Sequence, residues 1–229
     1  MVPMSIGFLI GGPFFGWLSD RFGARYFATG GMVLAAATFV LILSLPVNFP
    51  YPPFALLILL NGLSMGMFIA PNTAAIMNSV PARHRGVSSG MRATLNNVGM
   101  PLSIGIFFSL MILGMNASVP GAMYSGLTQH GVPTQIAQQL AGAPPVGYLF
   151  AAFLGYNPLG TLIPPEVLHT LPTEQVSIIT SKTFSPQLIS GAFHHGLAEV
   201  LIFSIVMCLI AGGVSWLRGG KYVYREEAE

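Results

Sequence analysis

Charged side chains are scarce in this sequence, which has nine Lys and Arg and seven Asp and Glu among 229 residues. Charged residues are therefore only 7% of the chain, whereas a soluble globular domain carries roughly a quarter. Because a folded surface in water needs more polar cover than this, the composition excludes an ordinary soluble domain. With 53% hydrophobic residues, disorder is excluded as well, and the lipid bilayer is the expected solvent.

Other absences narrow the class further. Cys208 is the single cysteine, which excludes an intramolecular disulfide and a cysteine-based metal site. The cations are dispersed along the chain, so no nucleic-acid partner is expected. His194 and His195 are adjacent, unlike the i, i+4 pair that binds a metal, and no phosphate-binding glycine loop is present. We therefore expect no metal and no other cofactor.

Long apolar runs are what the sequence does contain. A helix needs about 20 mostly apolar residues to cross a bilayer, and five stretches qualify or nearly qualify. They predict an all-α polytopic membrane helix bundle with about five transmembrane helices. The stretches are residues 1–18, which is short for a span, 27–45, 54–77, 91–115 and 189–217.

The cations give this bundle a predicted orientation. If successive turns alternate sides, one side collects eight of the nine Lys and Arg residues. By the positive-inside rule that side is cytoplasmic, so we expect the N-terminus outside, the C-terminus inside and residues 218–229 as a cytoplasmic tail of a cell-membrane protein. The eight are Arg21, Arg25, Arg83, Arg85, Arg92, Arg218, Lys221 and Arg225.

A long segment, residues 116–188, separates the four-span part, residues 1–115, from the last span, residues 189–217. It contains nine prolines, and since proline removes a backbone donor and fixes φ, long helices are excluded there. The stretches between prolines have room for short helices, which predict a compact extracytoplasmic cap. A flexible loop is the alternative.

Residues 16–25 form the most specific string of the chain, G-W-L-S-D-R-F-G-A-R. We expect Gly16 to end a helix and Gly23 to allow a tight turn. Arg21 and Arg25 are suited to pair with a carboxylate or with lipid phosphate. The string resembles the cytoplasmic signature turn of the major facilitator superfamily at six positions: Gly16, Leu18, Asp20, Arg21, Gly23 and Arg25. An accidental basic turn is the alternative.

Residues 71–99 are similar to the paired helices that follow this turn in drug:proton antiporters with fourteen spans, and the long segment before the last span resembles that group as well. The resemblance implies that this chain supplies the last five spans and that a missing N-terminal half supplies the others. It also implies that Asp20 and its neighbours latch the two halves together, with the main partner of Asp20 in the missing half. The apolar run at residue 1, which has no basic region before it, argues against a signal peptide and for a chain cut from a longer one.

Polar residues within apolar spans are costly, which makes them candidates for function. Glu199 is a candidate proton-coupling residue, because a carboxyl group held in a membrane favours its neutral form and can exchange a proton. A structural network near the outer interface is the alternative. Three G-x-x-x-G pairs are read as packing: Gly7 and Gly11, Gly12 and Gly16, and Gly62 and Gly66. The candidate polar pathway comprises Asn61, Asn72, Asn96, Asn97, His194 and His195.

The resemblance and these residues predict part of a transporter that exports small amphiphilic molecules or drugs, with protons as the coupling ion and alternating access as the mechanism. A non-transporting membrane scaffold, or a subunit of a larger complex, is the alternative. An enzyme is not expected, because no convincing catalytic constellation is found.

Overall fold

The computed structural model describes residues 1–46 and 49–218, and every regular element in that part of the chain is helical. The predicted tail is described only at Arg218; residues 219–229, with Lys221 and Arg225, lie outside the described residues. The prediction of an all-α protein is confirmed.

Five helices of the described part are long and apolar enough to cross a membrane, in agreement with the five predicted spans. Most extend past the apolar runs by a few residues, since helical hydrogen bonding continues into polar sequence at the ends. A short 3₁₀ turn, Ala82–His84, precedes the fourth of them. They are α1 (Val2–Phe22), α2 (Ala24–Leu43), α3 (Tyr51–Asn78), α4 (Arg85–Asn116) and α11 (Phe184–Leu217).

Six short helices occupy most of the segment between α4 and α11. Prolines stand at or next to the start of each, because a proline at the first helical positions loses no intrahelical hydrogen bond. The helices are α5 (Val119–Gln129), α6 (Thr134–Ala141), α7 (Pro145–Phe153), α8 (Leu159–Leu162), α9 (Pro165–Thr170) and α10 (Thr173–Ile179).

The chain divides into two compact units, of which the first combines Met1–Ser103 with the chain from Leu201 onward. Within it α1 and α3 pack backbone against backbone. A Cβ added to Gly66 would lie 2.6 Å from the Gly12 nitrogen, and one added to Gly11 would lie 2.8 Å from the Leu63 carbonyl oxygen. Gly62 meets the backbone of α1 in the same way. Small residues therefore allow this close approach, which inside lipid supplies van der Waals contact.

A buried polar contact joins α2 to α3 in the same unit. The Asn61 amide donates a hydrogen bond of 3.1 Å to the Thr38 hydroxyl, which itself donates to the Ala35 carbonyl at 2.7 Å. Thr38 is only 1% exposed, so both groups need these partners. Gly31 lies against the α3 backbone, where an added Cβ would be 2.8 Å from the Ser64 oxygen.

The second unit, Ile104–Val200, has a core of large side chains contributed by the end of α4, the start of α11 and the short helices. Met123, Leu127 and Tyr148 are at most 2% exposed. The Tyr148 hydroxyl donates to the Leu140 carbonyl at 2.7 Å, which satisfies its polar end inside the core. Desolvation by burial raises the Tyr148 pKa above its ordinary value of 10.0.

Asn157 fixes the ends of the short helices to one another. Its side-chain amide donates to the carbonyls of Ile179 and Ser181 at 2.6 and 2.7 Å, and its side-chain oxygen accepts from the Leu159 N–H at 3.0 Å. The Leu159 N–H and the Ile179 carbonyl are end groups of α8 and α10, and Ser181 lies just beyond α10. The segment is therefore a packed set of helices with its own core.

Candidate functional site

The turn of residues 16–25 lies where α1 ends and α2 begins. Gly23 alone separates the two helices, with φ of +92°, and its N–H donates to the Ser19 carbonyl at 2.8 Å. A side chain at this φ would be strained, so glycine suits the position. Gly16 lies inside α1, and the expectation that it ends the helix was wrong. Glycine costs about 1 kcal/mol inside a helix, and here the position packs against Ala70, with an added Cβ at 3.5 Å.

A cavity of about 460 Å³ lies against this turn, entirely within the first unit. Its walls are the turn itself, the last turns of α3 and Arg218 at the end of α11. Asp20, in the last turn of α1, lines it together with Arg21 and Arg25. The described residues therefore give the cavity three arginines and one carboxylate, an excess of positive charge.

Tryptophan rings hold two of these arginines. The Arg25 guanidinium lies 4.1 Å from the centre of the Trp216 ring, and Arg21 lies 4.6 Å from the centre of the Trp17 ring. Tyr26 contacts the edge of Trp216 at 5.8 Å between ring centres. Cation–π stacking of this kind fixes the plane of a guanidinium while leaving its N–H groups available in that plane.

Two neighbouring polar residues of α3 bind Arg218 and Arg92. The Arg218 guanidinium donates to the Asn72 side-chain oxygen, and the Arg92 guanidinium donates to the Thr73 hydroxyl at 2.7 Å. Asn72, one of the predicted pathway residues, is thus connected to the cavity through Arg218. Arg92 is tied to α3, as suits a residue that fixes the fourth span.

Glu199 lies on α11 in the second unit, at a close crossing with α4. A Cβ added to Gly114 would lie 2.7 Å from the Gly196 Cα and 2.9 Å from both the carboxyl carbon and Oε2 of Glu199. One added to Gly196 would lie 2.6 Å from the Met111 carbonyl oxygen. The Glu199 carboxyl group therefore lies over a glycine, and the room that it occupies exists because Gly114 has no side chain.

The remaining predicted pathway residues have different surroundings. Asn61 is buried between α2 and α3 by its bond to Thr38, whereas Asn96 and Asn97 are exposed on α4. His195 is exposed and stands four residues before Glu199, on the same face of α11. His194, one residue earlier, is half-buried. Their roles in a pathway stay predictions.

Sequence reasoning did not find the glycine crossing at Glu199 or the role of Thr73 as an arginine partner. Gly114 and Gly196 stand alone in sequence, so no repeated spacing marks them, and they meet across 81 intervening positions only through the fold. Among the described residues no group of three His, Cys, Asp or Glu side chains could hold a metal ion.

These features define an integral membrane protein built on a helix bundle. Its first unit contains a cationic turn between two spanning helices. The model of the Major Facilitator Superfamily matches residues 2–124, slightly more than half of the chain. The chain belongs to this superfamily. Its members are transporters rather than enzymes. They lie in a lipid bilayer and act on small-molecule substrates.

Similar proteins include transporters and a resistance protein. The chain is 28% identical over 167 residues to a triacylglyceride transporter of Mycolicibacterium smegmatis, covering 69% of this chain and 29% of the relative. It is 32% identical over 110 residues to the triacylglyceride transporter of Mycobacteroides abscessus, covering 44% and 21%. It is 31% identical over 120 residues to the methyl viologen resistance protein SmvA of Salmonella typhimurium, covering 52% and 24%.

The matched part thus spans less than a third of the length of these relatives. No solved structure matches the chain.

Proposed function

We propose that this chain is the C-terminal part of a proton-coupled exporter that moves small amphiphilic molecules outward by alternating access. The observation that carries the proposal is the six-position signature, which forms a single-glycine turn between α1 and α2. This turn lines the cavity that also contains Arg218, here called the arginine cavity. Membership of a transporter superfamily supports transport, and the resistance protein among its relatives supports export. A complementary N-terminal half would complete the substrate path.

The turn acts in this proposal as a latch between the two halves. Asp20 stands in the last turn of α1 beside Arg21, and stacked tryptophans hold Arg21 and Arg25 in place. A rigid charged turn of this kind favours the conformation in which the opposite half pairs with it. In the orientation given by the arginines, this turn lies on the cytoplasmic side.

Glu199 is the proposed proton carrier. It is the acidic residue among the described membrane-spanning helices that lies well inside an apolar run, with Leu197, Val200 and Leu201 around it in sequence. The residue is exposed at the surface of the second unit, and its carboxyl group lies over Gly114 at the crossing of α4 and α11. A carboxyl group at such a place can change its protonation as access alternates between the two sides.

The names of the relatives favour two substrates of different chemistry, a neutral lipid and an organic dication. Both are small compared with a protein and have large apolar surfaces or flat rings. Proteoliposomes that contain this chain and its N-terminal half would be tested with methyl viologen and with a fluorescent triacylglyceride in parallel. The transported compound identifies the substrate class, and transport of neither would support the scaffold alternative.

Proton coupling is tested by the Glu199→Gln variant in the same proteoliposomes. We expect transport driven by a pH gradient to fall at least about tenfold, the effect of about 1.4 kcal/mol, while substrate exchange without a gradient persists. Glu174→Gln is the matched control, because Glu174 is an exposed glutamate at the start of α10. Unchanged gradient-driven transport in Glu199→Gln would remove Glu199 from the coupling mechanism.

The latch is tested separately by Asp20→Asn. We expect lower transport with normal membrane insertion, since the substitution removes the charge and keeps the shape. Glu166→Gln, at the start of α9, serves as the control. Normal transport by Asp20→Asn at equal protein levels would contradict the latch.

A further inference from the structure

The arginine cavity beside the α1–α2 turn has a feature that the latch does not use. Arg25 Nε is shielded from solvent and has no hydrogen-bond partner, although the guanidinium is fixed against Trp216. Arg218 also lines the cavity, held by one N–H group on Asn72. An arginine has five N–H donors in a planar fork, so each of these side chains keeps donors for another acceptor.

The shape and charge of the cavity suit a phosphate group. About 460 Å³ is within the usual range for a small-molecule pocket. Among the described residues that line it, Arg21, Arg25 and Arg218 are offset by the single carboxylate of Asp20. Planar guanidinium groups bind phosphate oxygens in pairs of parallel hydrogen bonds, which a single lysine cannot do.

Aromatic residues around the cavity indicate which kind of molecule would carry the phosphate group. Trp17, Tyr26 and Trp216 are 53, 58 and 46% exposed, and each contacts Arg21, Arg25 or a ring beside them. Exposed tryptophan and tyrosine beside arginine at the end of spanning helices is typical of the membrane–water interface. Phospholipid headgroups lie at that level, and basic pockets between membrane helices bind anionic ones.

We propose that this cavity binds the phosphate group of an anionic phospholipid through Arg21, Arg25 and Arg218. A bound headgroup would connect the α1–α2 turn to the end of α11, both within the first unit. The proposal does not depend on transport, on protons or on Glu199.

The two tryptophans of the chain, Trp17 and Trp216, both contact arginines of this site, so their fluorescence reports on it directly. The purified chain in detergent micelles would be titrated with phosphatidylglycerol whose acyl chains are brominated, which quenches tryptophan on contact. We expect half-quenching at about 100-fold lower lipid than with brominated phosphatidylcholine, since each of the three arginines contributes about fivefold. Equal quenching by the two lipids would overturn the proposal.

Substitutions locate the binding. Arg218→Gln leaves the stack of Arg25 on Trp216 intact, and we expect it to weaken phosphatidylglycerol quenching about fivefold. Arg25→Lys keeps the charge and loses the planar fork, so it should also weaken binding. The double variant Arg83→Gln/Arg85→Gln removes exposed arginines outside the cavity and should change nothing. Equal losses in this control would overturn the site, and so would full binding in both cavity variants.

Inorganic phosphate distinguishes the source of the phosphate group. We expect it not to displace the brominated lipid at about 10 mM, since it lacks the apolar chains that contribute to lipid binding. Displacement at that concentration would show that the cavity is a site for free phosphate and would overturn the lipid assignment.

Discussion

The contact between α1 and α3 in the first unit and the core around the short helices of the second unit reach close packing in opposite ways. Between α1 and α3 of the first unit, glycines bring backbone atoms into contact, as at Gly11 and Gly66. In the second unit, large side chains such as Met123 and Tyr148 fill the space between short helices. Moving an apolar side chain from lipid into a helix contact gains little free energy, because lipid is itself apolar. Spanning helices are therefore stabilised mainly by close van der Waals contact between their backbones. Short proline-bounded helices gain instead from burying apolar area away from water.

The difference means that the two units should be sensitive to opposite substitutions. The first should tolerate loss of side-chain volume and fail when volume is added at its glycines. The second should fail when volume is removed from its core.

Tyr148→Ala should have the largest effect. It removes a buried ring and the hydrogen bond to the Leu140 carbonyl, and we expect the second unit to lose about 3–5 kcal/mol. Hydrogen exchange of peptides from α5 to α10 would show this as lost protection. Phe153→Ala is the control, because Phe153 is also an aromatic residue of α7 and is 87% exposed. Similar losses in the two variants would contradict a side-chain core.

Gly11→Val should be the next largest. The added side chain would meet the Leu63 backbone, and we expect a loss of about 2 kcal/mol from overpacking. Gly12→Val is a matched control from the same helix, since nothing lies within 4 Å of a Cβ added there. The two variants are compared by thermal unfolding of the purified proteins in detergent, with aggregation as the readout. Equal unfolding temperatures would mean that the glycine contact between α1 and α3 carries no stability.

Tyr148→Phe should have a smaller effect and a pH dependence. Loss of one buried hydrogen bond costs about 1 kcal/mol. The Tyr148 pKa is raised in the folded chain, so the unfolded chain releases the phenolic proton first as pH rises. The stability that the neutral phenol contributes is complete below the unfolded pKa of about 10 and is lost as pH rises through the folded value.

Circular dichroism melts at pH values from about 9 to about 11 test this. The unsubstituted protein should lose stability over that range more steeply than Tyr148→Phe does. Tyr124→Phe, on α5 and 40% exposed, should keep the steeper dependence. The same slope in all three proteins would show that the Tyr148 phenol does not contribute.

Much of this fold was predictable from the sequence, because each feature has a local cause. Apolar length marks the five spans, and prolines mark the starts of the short helices. The turn at Gly23 was predictable for the same reason. The turn needs one residue with a positive φ, and glycine adopts such a φ without strain. The end of α1 was misjudged at Gly16, because one glycine costs only about 1 kcal/mol inside a helix and α1 continues through it to Phe22.

The surroundings of the candidate sites were not predictable, because they depend on residues far apart in the chain. Gly12 and Gly16 have the spacing of a packing pair, yet a Cβ added to Gly12 would meet nothing within 4 Å, whereas one added to the adjacent Gly11 would meet the α3 backbone. Spacing defines a helix face but not which neighbour covers it. The position of Arg218 beside the turn likewise follows from the packing of α11, which no local pattern encodes.

The polar contact between α2 and α3 should show the smallest effect and tests whether hydrogen bonding adds to the glycine packing. Thr38→Val and Asn61→Leu each remove one partner, and the double variant removes both. Because an unfolded helix in lipid also finds partners, we expect a coupling energy of only about 0.6 kcal/mol from the cycle. Unfolding in detergent of the four proteins measures it.

The cycle needs a control for the bond that Thr38 donates to its own helix at Ala35. Thr94→Val removes an equivalent bond, from Thr94 to the Gly90 carbonyl, on an exposed face of α4. A coupling energy near zero would mean that α2 and α3 are held by backbone contact alone, as at Gly31. A value near 2 kcal/mol would mean that this part of the first unit depends on a specific polar pair, and the contrast between the two units would then apply only to α1 and α3.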